Sequence, residues 1–192
     1  MIPKLAKKTA HFFAENHFIR EEEQEVYAYG VELLFSAVTN FALALVIGLV
    51  MHTLLPCTVF LAVFAVLRRN TGGYHAKTHF GCNAVLAVVL IAFSFLCRFL
   101  PDGGKLIAAI TVLLLSPVPV ALLAPAEHPN KPLEPELRTK LHRNACIILA
   151  ACAAVMLPLF WLSPDVAFWV AGGMSAAVIS MVTETFLQRK KR

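Results

Sequence analysis

The residues whose types and spacing suit covalent chemistry lie in one short polar segment, Arg68-Arg69-Asn70-Thr71-Gly72-Gly73-Tyr74-His75-Ala76-Lys77-Thr78-His79-Phe80-Gly81-Cys82-Asn83. A cysteine attacks as its thiolate, and it needs a base or a nearby cation to hold that form. His75 can act as the base for Cys82. Arg68, Arg69 and Lys77 make the surroundings electropositive, which favours the thiolate further. On a regular helix, seven residues would return His75 and Cys82 to nearly one face, but about 10.5 Å apart along the axis. Helical side chains lean toward the N-terminus, so His75 would point away from Cys82. The pair works only if the backbone between them turns, and Gly72, Gly73 and Gly81 give that freedom. The spacing therefore predicts a turn or short re-entrant stretch at His75 and a helix starting near Cys82, where the helix dipole favours a negative charge. Backbone N–H groups around Gly81–Asn83 could form an oxyanion hole. Alternatively, Asn83 could orient His75, as an asparagine does in papain-like sites.

Two competing accounts of the segment stand beside this one. A loop with an incidental His and Cys would have the same composition. A metal site would use His75, His79 and Cys82, with the two histidines at helical i, i+4 spacing. The metal account lacks the glutamate of an H-E-x-x-H pattern and a nearby fourth ligand. No metal or cofactor is expected. The other four cysteines, Cys57, Cys97, Cys146 and Cys152, read as small buried apolar residues. Five cysteines, mostly inside apolar blocks, argue against a secreted disulfide framework.

The elements that position this segment are membrane spans. The chain is 58% hydrophobic over 192 residues, with a mean hydropathy of +0.70. The apolar residues sit in long blocks almost free of charge. Six spans are expected, at about Gly30–His52, Thr53–Leu67, Asn83–Leu100, Lys105–Ala124, Asn144–Leu162 and Asp165–Leu187. The second is short and contains Pro56, so a partly re-entrant segment is an alternative there. The fold class is all-α, a single polytopic domain over 1–192. The leader over 1–27 mixes Phe12, Phe13, Phe18 and Ile19 with charged residues, as an amphipathic helix on a lipid surface would. It lacks the apolar core and cleavage site of a secretory signal. The loop over 124–143 holds Pro125, Pro129, Pro132 and Pro135 and cannot be one continuous helix; it is expected beside the segment 68–82.

With both termini in the cytoplasm, fifteen of the seventeen basic residues fall on the inner side, and only Arg98 and Lys105 fall outside. The positive-inside rule thus puts segment 68–82 in the cytoplasm. The net charge of +5 is a topology signal, and no motif for nucleic acid accompanies it. Glu32 and Glu184 lie near cytoplasmic span ends, where snorkelling or pairing with Arg68 or Arg69 accounts for them. Gly172, Gly173, Ser175, Ala176 and Ala177 make a small-residue face suited to packing within the chain or to a homodimer contact.

Arg68, then Gly72-Gly73-Tyr74-His75, then Cys82 resemble the signature of the accessory gene regulator B (AgrB) family. Ala124-Pro125 and Asn130-Lys131-Pro132-Leu133 resemble that family's second loop, and the six-span layout agrees. The resemblance covers nearly the whole chain. It implies a membrane cysteine endopeptidase of a Gram-positive bacterium, processing AgrD, the precursor of a quorum-sensing autoinducing peptide. Carried over by position, Cys82 is the nucleophile and His75 its base. Arg68 and Gly73 match the catalytic segment, with Arg68 positioning the acidic end of the substrate. A non-enzymatic peptide exporter or signalling-assembly protein is the competing function. An exporter would want ionisable residues deep in several spans, and this chain has few.

Overall fold

A computed structural model describes residues 2–74, 79–126 and 133–191. Among them every regular element is helical, as expected of an all-α chain. The helices are α1 (Ile2–Glu15), α2 (Gln24–Val50), α3 (Leu54–Thr71), α4 (His79–Phe99), α5 (Asp102–Leu115), α6 (Pro117–Leu123), α7 (Pro135–Leu162) and α8 (Pro164–Lys191), with a short 3-10 turn at Glu21–Glu23. Six stretches are long and apolar enough to cross a membrane, with α5 and α6 counted as one. Outward positions are apolar, with Trp161 91% and Leu122 76% exposed. That is the inverse of a soluble surface and fits a lipid-facing one.

α1 is amphipathic in a specific way. Ala6, Ala10 and Ala14 form a buried i, i+4 stripe on a helix that packs against α2, while Leu5 and Phe12 stay exposed. The leader is not one helix over 1–27, because the chain turns after Glu15 and α2 already starts at Gln24. The backbone N–H of Arg20 donates to Glu23 Oε2 at 3.2 Å there, helping to start the new helix.

Pro56 does not weaken the second span. It is the third residue of α3, where the first turn has no intrahelical use for its missing N–H. The α2–α3 connection is tight: the Thr53 N–H donates to the Gly48 carbonyl at 2.7 Å. A Cβ on Gly48 would stand 2.8 Å from Leu54 Cα. A re-entrant α3 is thus replaced by an 18-residue helix running to Thr71. The fourth span bends at Ser116–Pro117, where α5 gives way to α6.

α8 is the centre of the bundle. Just over half of its spanning stretch is buried, against 17–28% for the others, and it packs on α3, α5 and α7. Trp169, Met174, Ala177 and Met181 are fully enclosed. An aromatic cluster joins α3, α4 and α8. Phe60 and Phe93 centroids lie 5.4 Å apart, and Phe60 meets Trp169 edge-on at 6.1 Å. The small-residue face of α8 is used inside the chain. A Cβ on Gly172 would stand 2.5 Å from the Phe93 ring, and one on Gly173 2.7 Å from the Phe60 carbonyl. Close approach of this kind is how helices gain packing energy where water exclusion no longer drives association.

Candidate active site

The site is built at the end of the bundle where α3 stops and α4 starts. α3 runs through Arg68 and Arg69 to Thr71, and the chain then leaves helical geometry at Gly72 (φ 68°, ψ −169°). Gly73 follows with φ 153°. Side-chain-bearing residues avoid such backbone, so the two glycines are what allow the turn. Space demands them as well. A Cβ on Gly72 would stand 2.6 Å from the Ala126 carbonyl oxygen, and one on Gly73 2.6 Å from Ser180 Oγ. α3 ends at Thr71 and α4 begins at His79, so no single helix runs from Arg68 to Cys82, while the turn expected at His75 falls outside the described residues. His75 and Lys77 lie outside the described residues.

α4 begins at His79, three residues earlier than expected, so Cys82 sits at the end of its first turn. Cys82 is a free thiol, half-buried. Asn83, next to it, has a buried Oδ1 with no hydrogen-bond partner among the described residues.

Arg68 ties the segment together. Its Nη1 donates to Ser180 Oγ at 3.1 Å and its Nη2 to the Tyr74 carbonyl. Its guanidinium lies 5.3 Å from the Phe64 ring centroid, a favourable cation–π placement. Arg69, which composition treats as Arg68's equal, is exposed. Adjacent residues on a helix point about 100° apart, and only Arg68 faces inward.

Two other parts of the chain complete the surroundings. The Tyr74 N–H donates to the Ser180 carbonyl of α8 at 3.0 Å, and the Ala126 N–H donates to the Thr71 carbonyl at 2.8 Å. The second loop therefore does lie beside the first, through residues 124–126. A cleft of about 550 Å³ opens nearby, lined by Ala121, Ala124, Leu133, Pro135, Arg138, Thr139 and His142. α7 begins at Pro135, not Asn144, so Arg138, Thr139 and His142 are held on a helix.

A second His–Cys pair, not anticipated from the sequence, lies on α7. His142 Nδ1 lies 2.9 Å from the Ala124 carbonyl, and its Nε2 lies 3.8 Å from Cys146 Sγ. The signal was available, since His-x-x-x-Cys inside a helix puts the two side chains on one face. Here the imidazole hydrogen-bonds the end of α6 to α7. Ser180 was also missed as part of the site, since only the folded bundle brings α8 to the α3–α4 turn. Among the described residues no cluster of three or more His, Cys, Asp or Glu side chains is placed to hold a metal ion.

Comparison with known proteins adds a family match. The model of the family described as accessory gene regulator B matches residues 6–187. An AgrB-like protein of Lactiplantibacillus plantarum is 22% identical over 148 residues, 77% of this chain and 74% of that protein. An AgrB-like protein of Clostridium perfringens is 25% identical over 145 residues, covering 73% and 68%. Protein FsrB of Enterococcus faecalis is 25% identical over 132 residues, 69% of this chain and 54% of FsrB. No solved structure matches significantly.

Proposed function

The chain belongs to the accessory gene regulator B family, and from that premise we propose that it is a membrane cysteine endopeptidase. It removes the C-terminal tail of an AgrD-like quorum-sensing precursor and supports cyclisation of the remaining peptide. The observation that carries the reading is the glycine turn between α3 and α4. It ends α3 just past Arg68 and leaves Cys82 in the first turn of α4.

The chemistry is acyl transfer. His75 takes the Cys82 thiol proton, and the thiolate adds to the carbonyl carbon at the junction with the tail. The C–N bond then breaks and the tail's amine leaves with the proton from His75. The product is a thioester between Cys82 and the shortened precursor. An internal Cys or Ser of that peptide attacks the thioester, forms a thiolactone or lactone, and returns the proton and free thiol to Cys82. The Arg68 charge attracts the acidic part of the substrate. Asn83 Oδ1, buried and without a partner among the described residues, would accept an N–H from the His75 ring and fix its tautomer.

The placement of the basic residues supports a bacterial plasma membrane with segment 68–82 and both termini in the cytoplasm. There the amphipathic leader of a precursor would lie on the inner lipid surface and meet Cys82. The test is cleavage in liposomes containing the partner precursor, read by mass spectrometry of the released tail. Cys82→Ala and His75→Ala should each abolish release. Full release by either variant rejects the dyad, and loss on chelation without sensitivity to thiol alkylation would point to a metal enzyme instead.

A further inference from the structure

The carbonyl just past α6 needs a donor from elsewhere. Ala124 follows α6 in an extended conformation with ψ 142°, so its oxygen turns away from the helix and has no intrahelical partner. The residue is 9% exposed, which leaves little water to satisfy that oxygen. His142 of α7 supplies the donor, its Nδ1 lying 2.9 Å from the oxygen. A carbonyl can only accept, so Nδ1 carries the hydrogen. In the neutral ring Nε2 is then the acceptor, and Cys146 Sγ stands 3.8 Å from it with a thiol hydrogen to give. His142 and Cys146 are one helical turn apart, so α7 itself holds the ring in this orientation. Just beyond Ala124, the Ala126 N–H donates to the Thr71 carbonyl at 2.8 Å, at the last residue of α3. The Ala126 carbonyl oxygen stands against Gly72. An unbroken line of contacts therefore leads from Cys146 through His142 and the 124–126 stretch to the start of the glycine turn.

We propose that His142 is a positioning residue for the α3–α4 turn, its Nδ1–H holding the Ala124 carbonyl so that the 124–126 stretch stays docked on the end of α3. The inference rests on the peptidase reading of the site and deepens it, giving the second loop a part in shaping the segment that leads to Cys82. The ring acts as a donor and not as a base. Nδ1 keeps its hydrogen both in this neutral tautomer and in the imidazolium, so the hold on Ala124 needs no particular charge. Without the donor, a buried carbonyl is left unsatisfied, and the stretch relieves this by moving toward water. Its hydrogen bond to Thr71 then opens more often, and the wall against Gly72 retreats with it. His142 also lines the cleft shared with Arg138 and Thr139, so direct contact with substrate is the alternative to be separated.

The experiment compares His142→Leu, which removes the donor, with His142→Asn, whose amide nitrogen can take the place of Nδ1. Hydrogen exchange of the Ala126 amide is read on the full-length protein in detergent, by mass spectrometry with fragmentation to single residues. The liposome cleavage assay gives kcat and KM. His142→Leu should speed Ala126 exchange and lower kcat, each about fivefold, the scale of one neutral hydrogen bond, with KM little changed. His142→Asn should return both to within about twofold of wild type, a rescue that filling space alone would not produce. Cys146→Ala leaves Nδ1 in place and should keep Ala126 exchange within about twofold of wild type. If His142→Leu does not fold, His142→Gln, whose amide reaches the place of Nε2 instead, replaces it with the same expectation. Wild-type exchange without the donor, or exchange in His142→Asn as fast as in His142→Leu, overturns the proposal. So does a rise in KM with kcat unchanged, which would mark a direct substrate contact in the cleft. Cys82→Ala in the cleavage assay separates the two levels: retained cleavage there rejects the peptidase reading, while the exchange rates still decide the role of His142.

Discussion

Gly72→Ala is the substitution on which the turn makes its strongest demand. Gly72 has φ 68° and ψ −169°, a region that costs a residue with a side chain about 1–3 kcal/mol. The added methyl would stand 2.6 Å from the Ala126 carbonyl oxygen and 3.2 Å from the Ala126 nitrogen. That nitrogen is hydrogen-bonded to the Thr71 carbonyl at 2.8 Å, so the obstacle is anchored backbone and not a side chain that can swing away. Forcing such a contact adds about 1–3 kcal/mol. Even the smallest sum, about 2 kcal/mol, lowers the ratio of docked to undocked turn about thirtyfold. The strain is local, so the helices should persist, as checked by circular dichroism and size-exclusion chromatography. The assay is kcat/KM for precursor cleavage in liposomes, with Gly103→Ala as the matched control. Gly103 lies in the first turn of α5 with no atom within 4 Å of its added Cβ, and its replacement should leave activity unchanged. The reasoning fails if Gly72→Ala cleaves at more than about a third of the wild-type rate when the population estimate of thirtyfold holds.

Three further outcomes are expected. Cys82→Ala should lower cleavage by at least about a thousandfold, as loss of a nucleophile does, while Cys146→Ala stays within a few-fold of wild type; the reverse result, read in the same liposome assay, would move the chemistry to the His142–Cys146 pair. Gly173→Ala should lower stability by about 1–3 kcal/mol through overpacking, because its Cβ would meet the Phe60 carbonyl at 2.7 Å and the Val63 Cβ at 2.9 Å; thermal unfolding in detergent reads this, and an unchanged midpoint would contradict the close α3–α8 approach. At the opposite end of the bundle, Lys105 Nζ is 7%-exposed Lys105's link to Asp165 and to Asp102, the latter at 3.2 Å. Lys105→Ala should cost about 1–3 kcal/mol by the scale of charge-assisted hydrogen bonds, with cleavage per folded molecule preserved; a large loss of activity in well-folded protein would show that the two ends are coupled.

The order and number of the spans were legible because apolar blocks announce themselves wherever they fall. Their ends were less so. Hydropathy marks where a helix stops being apolar, not where it stops being a helix. α2 therefore starts at Gln24, ahead of Gly30, and α7 starts at Pro135, a full nine residues before Asn144. The polar residues Glu136, Arg138, Lys140 and Arg143 extend α7 beyond its apolar block. In the site, the glycines and Cys82 were legible from type and spacing, and the break between α3 and α4 follows from them. The division of labour between Arg68 and Arg69 was not, because it depends on which side of α3 faces α8. Ser180 gave no local signal at all. Its importance comes from a residue 112 positions away in sequence, and only the packed bundle makes that neighbour visible.

The central position of α8 has a consequence for biogenesis. A ribosome delivers α3, the glycine turn and α4 well before Ser180 and Glu184 emerge. Until the last helix inserts, the Tyr74 N–H and Arg68 Nη1 lack the Ser180 acceptors that fix them, and Phe60 and Phe93 lack Trp169, against which both pack. Under the peptidase reading proposed above, the newborn chain would carry Cys82 through synthesis with the glycine turn still unlatched, and the site would be complete only once α8 has inserted.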